Sequence, residues 1–125
     1  MATAFSVPVM LRLARSTQSG NYTMTAAWQT VYSRSQIYAF MFASAKIDLT
    51  NMLAADHVEI RVSTRHTSGG AYIIEQLQSY DNAQPVNKAK ITIGSIMDTF
   101  GVLIEMRQTI GALIVVYGEF YDTVR

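Results

Sequence analysis

Apolar residues recur at every second position along most of this chain, and that period of two constrains its folding more than any other feature. Val7, Val9, Leu11 and Leu13 alternate with Pro8, Met10, Arg12 and Ala14, the pattern of a half-buried strand. Pro8 has no N–H to give a ladder, so that strand belongs at a sheet edge. Tyr22, Met24, Ala26, Trp28, Thr30 and Tyr32 form a second in-phase set, rich in Thr and Tyr. Ile37 to Leu49 follows with Ile37, Ala39, Met41, Ala43, Ala45, Ile47 and Leu49 on one face. Its other face carries Tyr38, Phe40 and Phe42 before turning polar at Ser44, Lys46 and Asp48.

Farther along, Val58, Ile60, Val62 and Thr64 alternate with Glu59, Arg61, Ser63 and Arg65 as a strand with one wet face. Ser68-Gly69-Gly70 turns the chain, and Ala71 to Tyr80 returns as the second arm of a hairpin. Short strands are expected at Ala89 to Ile93, around Val102 to Arg107 and at Leu113 to Tyr121. Asp48 to Asp56 has some helical character and reads as a connection with one helical turn, being too short for a stable helix. About eight antiparallel strands joined by short turns predict an all-β, jelly-roll-like β-sandwich; an up-and-down barrel is the alternative. The 125 residues read as a single domain, 1–125, without internal repeat or linker.

Composition narrows the function. Only 15% of the residues are charged, against roughly 25% in an average globular domain, which suggests that other subunits cover part of the surface. The net charge of +1 comes without any run of basic residues, which argues against a nucleic-acid partner. No apolar run approaches the ~20 residues of a membrane helix, and no signal-peptide pattern opens the chain, which reads as soluble, unexported and without a membrane partner. Without Cys there is no thiolate metal ligand, disulfide or Cys nucleophile.

Catalytic patterns are thin. His57 and His66 stand at either end of one expected strand, roughly 30 Å apart at ~3.3 Å per residue, too far to share a metal. Asp48, Asp56, His57 and Glu59 form the densest acidic group; calcium ligation is one reading, and the preferred one has Asp48 and Asp56 capping a helical turn while Glu59 points to water. There is no G-x-S-x-G and no phosphate loop. The expectation is a non-enzymatic protein with no catalytic, cofactor-binding or metal residues. Tyr38, Phe40 and Phe42 are the candidate subunit interface, because a monomer would usually place polar groups on that face; burial in the chain's own core is the other reading. Tyr22, Trp28 and Tyr32 would be the platform of a carbohydrate-binding module, a further alternative, and a place in the core explains them equally well because their face is apolar along its length.

Five segments in order carry a family likeness: IDLTNM (Ile47 to Met52), DHVEIRV (Asp56 to Val62), SGGAY (Ser68 to Tyr72), SYDNAQ (Ser79 to Gln84) and MRQTIGAL (Met106 to Leu113). Together they resemble small virion proteins encoded in the structural regions of tailed phages. The likeness covers residues 47 to 113. It departs at Ala54-Ala55, where a glycine-containing turn is common, and at Ile110, where a small residue is usual. The resemblance implies a capsid decoration or minor head protein, made in the host cytoplasm and located on the capsid surface of the virion. Its implied partners are the major capsid protein and further copies of itself, as a trimer. A tail, tube or baseplate subunit is the nearest alternative. Decoration proteins of this kind reach onto the shell with an N-terminal arm, for which residues 1–6 are the candidate, with Ala2, Thr3, Ala4 and Phe5 as its contacts.

Overall fold

The structure is a computed structural model that describes residues 12–124. It contains eight strands: β1 (Arg12–Arg15), β2 (Gly20–Thr23), β3 (Gln29–Asp48), β4 (His57–Arg65), β5 (Ile73–Asp81), β6 (Lys90–Ile93), β7 (Ile96–Ile110) and β8 (Val115–Val124). All pair antiparallel in one continuous sheet of order β1-β8-β3-β7-β4-β5, with β2 also beside β8 and β6 also beside β3. The all-β antiparallel fold expected from the period of two is the fold observed.

The 20-residue β3 organises it. Its first half pairs with β7 and its second half with β6 and β8. Between Ser35↔Gly101 and Phe40↔Thr99 the register uses five positions of β3 against two of β7. That extra length lets the strand change direction, as bulges do. The sheet then folds over itself into two layers. One holds β5, β4, β7 and the first half of β3; the other holds β6, the second half of β3, and β8 with β1 and β2. Val58, Ile60 and Val62 of β4 and Ile104 and Met106 of β7 share one core with Ile47, Val116 and Phe120 of the second layer. Each such side chain, fully buried, contributes roughly 1.5–3 kcal/mol of hydrophobic stabilisation.

The seam beside the first half of β3 is closed by a side chain. The Gln18 amide donates to the Ser33 carbonyl at 2.9 Å and accepts the Ser33 N–H at 2.8 Å, while the Tyr22 hydroxyl donates to the Val31 carbonyl at 2.8 Å. Gln18 thereby does for an exposed strand edge what a neighbouring strand would do.

Several local expectations are corrected. The strand expected from Tyr22 to Tyr32 breaks at 24–28, where the Met24 N–H donates to the Ile114 carbonyl and the Thr25 carbonyl accepts the Gln108 N–H, both at 2.8 Å. A register shift between Thr30 and Tyr32 then reverses the facing, so Val31 and Tyr32 are both buried. A second shift between Phe42 and Ser44 brings Phe42 and Ala45 inward together. The stretch Asp48 to Asp56 forms turns with no helical turn, because both aspartates take backbone N–H groups: Thr50 donates to Asp48 at 2.9 Å and Leu53 to Asp56 at 2.7 Å. Of the strand expected at Val7 to Leu13, residues 7–11 lie outside the described residues; β1, which follows, ends the sheet order.

Candidate interaction surface

Three loops meet at one end of the sandwich: residues 24–28 before β3, residues 49–56 between β3 and β4, and residues 111–114 between β7 and β8. Buried side chains bind them together. Gln108, 1% exposed, donates through its amide to the Ile110 and Ala112 carbonyls at 3.1 and 2.9 Å and accepts the Ile114 N–H at 3.0 Å. Asp56, 3% exposed, holds the Leu53 N–H and packs so closely on Gly111 that a Cβ there would stand 1.9 Å from its Oδ1. Asn51 reaches across to the Val115 carbonyl at 2.9 Å, and the Ala55 N–H donates to the Asn82 side chain at 3.0 Å.

The outcome is a firmly tied pole whose outward residues are uncharged and in good part small or apolar. Ala27, Leu53, Ala54, Ile110, Ala112 and Leu113 are all exposed. Apart from buried Asp56, the three loops carry no charged residue. Exposed apolar residues gathered on a rigid scaffold without charge make this pole the candidate contact surface. These positions lie in turns and follow no period, so alternation does not mark them; their one signal in the sequence is the absence of charge across three loops.

The outer face of the first layer is different in kind. Glu59 pairs with Arg107 and Arg61 with Glu105, each at 2.7 Å across adjacent strands. The guanidinium groups of Arg61 and Arg107 lie 4.2 and 4.4 Å from the centre of the Trp28 ring. This ladder satisfies its own charges and covers the indole. On the second layer, Glu119 sits among Tyr121, Tyr117, Arg15 and Lys46, and chiefly the Tyr121 hydroxyl, 2.5 Å away, holds its carboxyl below the usual carboxylate range.

Of the residues singled out from sequence, Phe40 and Phe42 are core, 8% and 0% exposed, and so are unavailable as a subunit surface in this chain. Tyr38 does lie on the surface, beside the still more exposed Ile37, in the stretch where β3 changes direction. Ala2, Thr3, Ala4 and Phe5 lie outside the described residues. Tyr22, Trp28 and Tyr32 make no common platform: Tyr32 is buried, Tyr22 is bonded to the Val31 carbonyl, and Trp28 is on the outer face beneath two arginines. His57 and His66 stand at opposite ends of β4, and His57 pairs with Asp81 at 2.5 Å.

No family model and no curated protein matches the sequence. Among solved structures, the whole chain superimposes on a chain in the crystal structure of the infectious bursal disease virus VP2 subviral particle, with a TM-score of 0.54 and 9% identity. The match covers 100% of this chain and 38% of that one, so this chain spans well under half the length of its structural neighbour. The likeness is one of fold alone.

Proposed function

We propose that the chain is a non-enzymatic virion structural protein, of the decoration type, that seats its uncharged pole on the capsid shell. The observation that carries this reading is the fold shared along the whole chain with part of a protein that forms a subviral particle. The likeness of Ile47 to Leu113 to tailed-phage virion proteins points the same way. So does the architecture of the pole, where buried Gln108 and Asp56 hold three apolar loops in place before any partner arrives. A preorganised surface loses less freedom on binding than a flexible one, so more of the gain from covering apolar area is left as affinity. Binding across subunit junctions then stabilises the shell by mass action.

The reading is tested by co-sedimentation of the purified chain with shells of the major capsid protein from its own virus. Wild-type chain is expected to pellet with shells. Leu53→Asp and Leu113→Asp, both at exposed positions and therefore folded, are expected to stay in the supernatant. Failure of the wild type to pellet, or unchanged pelleting of both variants, removes the pole from this role. Assembly of the chain alone into open filaments would favour a tail or tube subunit, since contacts that do not close generate filaments.

A further inference from the structure

β5 is the last strand of the sheet order, an open edge, and its two faces have the reverse polarity to those of its neighbour β4. Gln76, Gln78 and Tyr80 pair with Val62, Ile60 and Val58, so they lie on the face that β4 turns to the core. Leu77 pairs with Arg61 and lies more than half exposed on the outer face, beside the ion-pair ladder. Two amides therefore point inward where a packed sandwich carries apolar side chains, and a leucine points outward. A local break in polarity pattern is expected where side chains serve a function and not the core.

The inward residues line a space that the core does not fill. Beside β5 the two layers stand apart around a cleft of about 170 Å³, floored by Ile60, Val62, Ile91 and Ile93. One water needs ~10–15 Å³ of such space, so the cleft has room for a ring-sized molecule. Gln76, Gln78, Tyr80 and Thr92 form its rim, and no charged residue lines it. Gln76, Gln78 and Thr92 are exposed, and their side chains bond to no other described residue. Burial alone raises the Tyr80 hydroxyl above its ordinary value of 10.0, with no neighbouring group contributing.

We propose that this cleft binds a neutral sugar ring. A pyranose presents C–H groups on its faces and hydroxyls around its edge, and the cleft matches both. The isoleucines and Val62 meet the C–H face, while two amides and two hydroxyls, each able to donate and accept, meet the sugar hydroxyls. An ionic ligand would give up its hydration here with no opposite charge to replace it. A hydrocarbon chain would strip water from the four polar side chains and return no hydrogen bond. None of Tyr22, Trp28 and Tyr32 contributes to this site, and its lining shares no residue with the uncharged pole. Sugar binding is therefore independent of any contact with a shell.

The test is an NMR titration of the isotope-labelled chain with methyl glucoside, methyl galactoside and N-acetylglucosamine, each to millimolar concentration. At least one of the three is expected to shift the side-chain amide signals of Gln76 and Gln78 saturably, together with the Thr92 signal. Glucuronate, a glucose ring carrying a carboxylate, should bind more weakly. A chain with both Gln76→Leu and Gln78→Leu, at exposed positions and therefore folded, should bind the sugar about tenfold more weakly. Leu77→Ala, on the same strand but the outer face, should bind it as wild type does. The absence of a saturable shift with all three sugars overturns the proposal, as do shifts confined to residues outside the cleft. Equal affinity in the double variant, equally tight binding of glucuronate, or saturation of the same signals by decanol alone overturns it too.

Discussion

The rings of Tyr32 and Phe42 lie 5.2 Å apart, although ten positions of one strand separate them. A flat strand of that length would carry them ~33 Å apart. Phe120 completes the cluster, its ring 5.1 Å from that of Tyr32. The contact is the direct mark of β3 turning over to serve both layers, and it lies where the two layers meet.

Phe42, fully buried in this cluster, should be among the most costly positions to truncate. Phe42→Ala is expected to lower unfolding free energy by about 3–5 kcal/mol, the range for a large aromatic core residue. Tyr38→Ala, at a surface position, should change it by less than about 0.5 kcal/mol. Urea denaturation of the two variants beside wild type checks the contrast, and equal losses would mean that Tyr38 is covered too.

Tyr32 also gives the protein an alkaline limit. Burial, then the hydrogen bond and charge of Asp122, push its hydroxyl far above the ordinary tyrosine value of 10.0. A folded-state value above the unfolded one means that the stabilisation is complete below pH 10 and is lost as pH rises beyond it, because the unfolded chain releases the proton first. Stability measured from pH 8 to 11 should fall at the alkaline end. Tyr32→Phe, which has no proton to lose, should flatten that fall, and an identical slope in the variant would place the alkaline sensitivity elsewhere.

At the pole, two neighbouring backbone sites should respond with opposite signs. Gly111 has φ +97 and faces Asp56 Oδ1, so Gly111→Ala meets both an unfavourable backbone and a clash and should cost about 2–4 kcal/mol. Ala55 has φ 69, a left-handed conformation in which glycine is unstrained, and Ala55→Gly should stabilise by up to about 1 kcal/mol. Thermal melts of both variants test the pair. Loss of stability in Ala55→Gly would show that the Ala55 methyl group packs against a partner.

Ala55 also shows how far the sequence could be read. Its place in a turn between two strands was visible, and the left-handed backbone explains why glycine would suit it. The hairpin of β4 and β5 was equally legible, since alternation on either side of Ser68-Gly69-Gly70 is a local signal. The pole was not. Leu53, Ile110 and Leu113 are ordinary turn residues until Gln108 and Asp56 draw their loops together.

The sequence by itself determined that the chain is built of antiparallel strands, because alternation is written into neighbouring residues and the pleat reads it directly. It could not determine which face of each strand is inside. A one-residue bulge reverses the facing of everything beyond it, and bulges at Val31 and beside Phe42 turned expected surface aromatics into core. Such bulges are set by the partner strand, and the partners of β3 lie more than fifty positions away for β7 and more than sixty for β8. Only the folded sheet, with every strand in register, decided where the core ends and where the uncharged pole and the open edge begin.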